Sequence, residues 1–256
     1  VNNQTIYEFP LNERIRVFIR LEQLFKQFSH FSAGNTVFDK RAAVGALLDI
    51  MMIFRRNDLK SEILKELERH AKVLKKLSNN EAVNSEKLQE LISVVSETSR
   101  RLYESSGKIG IHVMETDLFL SIAQRTAIPG GSCSFDLPEF HYWLEKAEAA
   151  RQQDLDRWFR PFEDARTAID LILNFIRNSH SPTQEVAEAG FFQFTLDSNL
   201  AYQLVKVSLD KSLPYFAEIS GGKHRCSIRF LKPSPDDGRP TQSADAIPFE
   251  LTSCLF

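Results

Sequence analysis

Apolar positions in this chain fall into two regimes. From Glu13 to about Asn178 they recur at intervals of three and four residues, the period of helices buried along one side. After Ser179-His-Ser-Pro182 they alternate with polar residues, the period of strands. The helical part predicts a first helix from Glu13 to about Phe28, capped by Asn12, with Ile15, Phe18, Ile19, Phe25 and Phe28 as its apolar stripe. Arg16, Arg20, Gln23 and Gln27 fall on its opposite face. Further stripes follow: Val44, Leu47, Leu48, Met51 and Phe54; Ile63, Leu67, His70, Ala71, Leu74 and Leu77; Leu88, Leu91, Ile92, Val95 and Leu102; Leu118 and Ile122. Asp136 is placed to cap a helix with Pro138 in its first turn. The longest pattern runs from Arg151 to about Asn178, and Pro161 should kink or restart it by removing a backbone hydrogen bond.

The strand-period part predicts five strands, around Phe192–Leu196, Val205–Leu209, Tyr215–Ile219, Lys223–Phe230 and Ile247–Leu251, joined by short turns into an antiparallel sheet or small sandwich. Thr5 to Phe9 is a β-type run that Pro10 stops. It is too short to stand alone, so it should pair with strands from late in the chain, bringing Arg16 and Arg20 towards Arg225. The expected fold is therefore α+β: a multi-helix domain over 1–180 and a β-domain over 181–256, with strand 5–9 joining the latter. In the strand after Gly221-Gly222, Lys223, Arg225, Ser227 and Arg229 line one face and His224, Cys226, Ile228 and Phe230 the other. A cationic row backed by an apolar row is a binding surface in outline.

Charge and chemistry narrow the function. Over 256 residues the formal net charge is −2, so there is no overall basic field for nucleic acid, and an electrostatic partner must be met by a local patch. Cys133, Cys226 and Cys254 are widely spaced without a CxxC pair, which fits reduced thiols in the cytosol. With no signal-like N-terminal segment and no apolar run of bilayer length, a cytoplasmic protein without membrane insertion is expected. No cofactor or metal is expected: His112 and Glu115 have ligand spacing without a second pair, and Pro129-Gly-Gly131 lacks the Lys and Ser/Thr of a phosphate loop. The alternating Lys and Glu of residues 60–76 make a solvated, ion-paired face, and His70 lies on the apolar side as a core residue. One catalytic alternative stands open, a hydrolase or transferase using Cys133, Asp136 and His141 beside the Gly-Gly loop.

Three stretches together resemble the ZapD family of bacterial cell-division proteins. They are Glu8, Pro10, Leu11, Asn12, Glu13, Arg16 and Arg20; Pro129-Gly-Gly131 with Ser134-Phe-Asp-Leu-Pro138, His141, Trp143 and Leu144; and Ile219-Ser-Gly221 with Lys223, Arg225 and Ile228-Arg-Phe230. The resemblance implies a non-catalytic homodimer that binds the C-terminal tail of FtsZ and cross-links or bundles FtsZ protofilaments at the midcell division ring. It also implies a cationic set for that tail of Arg16, Arg20, His141, Lys223, Arg225 and Arg229. The helix of Leu118 and Ile122 departs from the pattern, since it carries Asp117 and few cations where the family is expected to be basic.

Overall fold

The chain opens as a strand, β1 (Gln4–Pro10), turns at Asn12 and enters a helix, α1 (Glu13–Ala33). The Asn12 carboxamide oxygen accepts from the Ile15 N–H at 3.0 Å, the cap expected from its position, and its amide nitrogen donates to Gln203 Oε1 at 2.8 Å. The computed structural model describes residues 3–56, 58–77, 84–105, 107–222, 224–236 and 238–256. Among these residues eight further helices follow: α2 (Val37–Arg56), α3 (Leu59–Leu77), α4 (Ser85–Glu104), α5 (Ile111–Met114), α6 (Asp117–Arg125), α7 (Pro138–Leu144), α8 (Glu148–Phe159) and α9 (Glu163–Arg177). Seven strands come next among the described residues: β2 (Thr183–Ala187), β3 (Phe191–Thr195), β4 (Tyr202–Asp210), β5 (Phe216–Gly221), β6 (Arg225–Lys232), β7 (Thr241–Gln242) and β8 (Ile247–Leu255). The fold is α+β, with helices first and antiparallel sheets last. It forms two compact units, Phe18–Ile172 and Val1–Val17 with Leu173–Phe256.

In the second of these units β1 pairs antiparallel with β4, Phe9 opposite Val205, as the short first strand requires. One sheet has the order β1-β4-β8-β2 and the other β3-β6-β5, with β7 added to β6. Alternate residues of both sheets meet in one core: Val205, Val207, Leu209, Phe249 and Leu251 from the first, Cys226, Ile228 and Phe230 from the second. The Phe230 and Phe249 rings lie 5.0 Å apart. Within this unit Arg177 closes α9 against β1, its Nε and Nη2 each donating to a Glu8 carboxylate oxygen at 2.7 Å.

The helical unit buries most of the predicted stripes, though Leu77 is exposed, Ala71, Leu91 and Ile92 are partly buried, and in α6 Phe119 rather than Leu118 joins Ile122 in the core. Ile63, Leu67, Leu74, Leu88, Val95 and Leu102 close the α3–α4 hairpin, and His70 is fully buried among them. Where the chain departs from its periodicity, specific contacts take over. Pro161 does restart the long helix, through a 3₁₀ turn at Arg160–Phe162, and the first half begins at Glu148 rather than Arg151. Asp136 does not cap α7: Leu137 holds the cap position without a side-chain bond, and the Asp136 carboxylate instead accepts from Arg125 Nη1 at 3.0 Å. The short α5 starts at Gly110, whose φ is +69°. A Cβ there would stand 2.1 Å from Cζ of buried Phe162, so glycine is required twice over. Strands β2 and β7 add to the expected five; β2 carries one buried side chain and β7 none, so neither shows an apolar alternation.

Candidate partner-binding surface

Strand β6 lies between β3 and β5, and its two faces differ as alternation requires. Cys226, Ile228 and Phe230 are fully buried, while Arg225 and Arg229 are exposed. Burial of one face fixes the register, so the two guanidinium stems rise from a rigid base. Antiparallel pairing sets Thr195 opposite Arg225, and both Phe191 and Glu218 opposite Arg229. The outer face thus reads Phe191, Gln193 and Thr195 on β3, Arg225, Ser227 and Arg229 on β6, and Glu218 and Ser220 on β5.

These neighbours divide the two arginines. Arg225 Nη2 donates to the Gln193 carboxamide oxygen at 2.5 Å, a neutral partner that orients the guanidinium, and among the described residues no carboxylate pairs with it. Arg229 is ion-paired to Glu218 across the strand pair, so its charge is locally balanced. Between them Ser220 and Ser227 share a hydroxyl hydrogen bond of 2.9 Å. Gln193, Glu218 and Ser220 therefore belong to this surface, and nothing in their own strands singles them out. Only the register brings them to the arginines.

The remaining expected residues are placed as follows. Arg16 lies near the start of α1, in the same compact unit as β6, half-exposed and ion-paired to Glu13 at 3.2 Å. Arg20, one turn later, is exposed and belongs to the helical unit, as does exposed His141 on α7. Lys223 lies outside the described residues. His224, expected on the apolar face, precedes β6 and is exposed: the hairpin bend consumes it before the ladder begins at Arg225. Burial pushes the Cys226 thiol up from its ordinary pKa, and that of Cys254 up to about 11, so both are inert core groups.

The catalytic alternative meets a different geometry. Asp136 is committed to Arg125, Cys133 is exposed, and no hydrogen bond among the described residues joins the side chains of Cys133, Asp136 and His141. No group of three or more His, Cys, Asp or Glu among the described residues could hold a metal ion. No helix among them is long and apolar enough to cross a membrane.

A family model for ZapD, described as a cell division protein, matches residues 19–229, a span that contains Arg20, His141, Arg225 and Arg229. The chain belongs to the ZapD family. It is 47% identical over 255 residues to the cell division protein ZapD of Methylococcus capsulatus (strain Bath), covering 100% of both chains. It is 37% identical over 248 residues to ZapD of Azoarcus sp. (strain BH72), covering 97% of this chain and 98% of that one. To ZapD of Nitrosomonas eutropha it is 38% identical over 248 residues, with the same coverage. Membership gives the chain a role in cell division, and the names of these ZapD relatives describe that role rather than a catalytic one.

Proposed function

We infer that this protein binds the acidic C-terminal tail of FtsZ through its cationic side chains and, as a homodimer, bundles FtsZ protofilaments at the cytoplasmic face of the division site. The observation that carries this reading is the outer face of β6. Arg225 offers a fork of donors that no carboxylate among the described residues pairs with, on a strand whose other face is locked into the core. A short tail that orders on binding gains charge-assisted hydrogen bonds there, and Phe191 beside them offers an apolar contact. Arg16, Arg20, His141, Lys223 and Arg229 complete the proposed set. Two such heads on one dimer turn two modest affinities into filament cross-linking.

Titrating a synthetic FtsZ tail peptide against wild type and Arg225→Glu tests this. Wild type should bind, and raising salt from about 50 to about 300 mM should weaken binding severalfold as the Debye length shortens. Arg225→Glu should lose at least about tenfold in affinity and cease to sediment FtsZ bundles. Equal affinity in the two proteins would overturn the assignment of this face.

A further inference from the structure

Among the described residues the two sheets end in β1, β2, β3 and β5. An open sheet edge is a row of backbone N–H and C=O groups ready to pair with another chain, and charge or proline on the edge strand deters such pairing. β1 carries Glu8 and ends at Pro10, β2 carries Glu185, and β5 carries Glu218. β3, Phe-Phe-Gln-Phe-Thr, has neither a charge nor a proline. It is the one end strand left without such a guard, in a sequence rich in strand-forming aromatics.

The ladder shows which of its backbone groups are open. The Phe230 N–H donates to the Gly190 C=O at 2.8 Å and the Leu196 N–H to the His224 C=O at 2.9 Å, which brackets the β3–β6 pair. Bonded residues alternate in an antiparallel pair, so the backbones of Phe192 and Phe194 face β6 and those of Gln193 and Thr195 point away from it. The Phe191 N–H also points away but donates to the Glu188 C=O at 3.0 Å within the turn. The same edge is apolar. Phe192 and Phe194 are only partly buried, at the rim of the core, and Phe191 is 42% exposed. Arg225 then selects by charge. Its side chain crosses from β6 to Gln193 on β3, towards the open edge. A strand added beyond β3 would lie roughly 10 Å from β6, two strand spacings, where an acidic side chain on the outer face meets the guanidinium part-way. Beyond β5 the same acid would stand beside Glu218.

We propose that β3 is a docking edge, to which an acidic peptide with alternating apolar residues adds as an extended further strand. Its backbone bonds to Gln193 and Thr195, its acidic side chains face Arg225, and its apolar side chains cover Phe192 and Phe194. The inference deepens the proposed function and rests on it for the peptide, the tail, whose bound conformation it fixes. Main-chain bonds then carry much of the affinity, and the tail is read with a period of two.

A series of tail peptides, each N-methylated at one backbone amide and titrated against the full chain by fluorescence anisotropy, tests this. Methylation at an amide that faces β3 should weaken binding about tenfold, and methylation at the alternate amides should change it less than about twofold. In the protein, Thr195→Pro removes an N–H of the open edge and no ladder bond. It should weaken the unmodified peptide about tenfold and leave the melting temperature within about 2 °C of wild type. Hydrogen exchange should show the amides of Gln193 and Thr195 protected by bound peptide, and that of Ile219 on β5 unchanged. Losses without alternation along the methylated series, wild-type affinity in Thr195→Pro, or protection confined to β5 would each overturn the proposal. So would a Thr195→Pro chain that sediments differently without peptide, since β3 would then be a contact between copies. Peptide binding that is lost in Arg225→Glu but shows none of these β3 effects leaves the proposed function standing and removes only the added strand. A peptide that fails to bind wild type strikes the proposed function, and the docking edge with it.

Discussion

Acid should loosen the helical unit through one residue, His70. The side chain is fully buried in the α3–α4 hairpin, and burial, reinforced by the adjacent Arg69 guanidinium, pushes its pKa from 6.5 down to about 3. The Glu66 carboxylate, 3.8 Å from Nε2, pulls the other way, but it is committed to Arg69 at 2.5 Å and its charge is largely spent there. Above pH 6.5 the imidazole is neutral in folded and unfolded chains alike and contributes no pH dependence. Below it the unfolded chain takes up a proton that the native core refuses, so stability falls as pH falls, down to the folded value near 3. Between pH 7 and pH 5 the loss is about 2 kcal/mol, from 1.36 kcal/mol per pH unit once the unfolded histidine titrates. For a unit of this size that is a drop of roughly 4 to 8 °C in melting temperature. Thermal melts followed by circular dichroism at pH 7, 6 and 5 should show the drop in wild type. A His70→Leu variant cancels the common carboxylate contribution in the comparison, and its melting temperature should fall less by about that amount. Equal slopes for the two proteins would refute the reasoning, as would an NMR titration of His70 with a midpoint above pH 5.

Other outcomes can be checked as directly. Glu218→Gln releases Arg229 from its cross-strand partner and should tighten tail-peptide binding about two- to fivefold by calorimetry, with the gain lost at high salt. Glu8→Ala leaves Arg177 without its bidentate acceptor in a partly buried site and should cost about 2 kcal/mol in chemical denaturation. With a thiol reagent at neutral pH the native protein should react at exposed Cys133 only, and Cys226 and Cys254 should appear only on unfolding.

Much of this molecule is written in local pattern. The α1 cap at Asn12, the stripes of α2 to α4, the restart at Pro161 and the two-faced β6 follow from periods of 3.6 and 2 and from residues that stop or start backbone hydrogen bonding. The cationic candidates were equally legible, because arginine on the polar side of an amphipathic element has only solvent or a partner to meet. Where a local signal competed with a distant one, the sequence was ambiguous. Asp136 has the chemistry of a helix cap, but an Arg125 eleven residues away claims its carboxylate. Strands β2 and β7 carry little apolar alternation and exist because β8 and β6 offer them ladder partners.

What the sequence determined by itself was the class of fold, the order of its parts and which residues could carry charge to a surface, since these depend on neighbours within a turn or a strand. Only the tertiary structure decided which of those charges stays uncompensated. Strand register sets Arg225 beside a carboxamide and Arg229 beside a carboxylate. Charge on a side chain is a local property; its compensation depends on residues that only folding brings near.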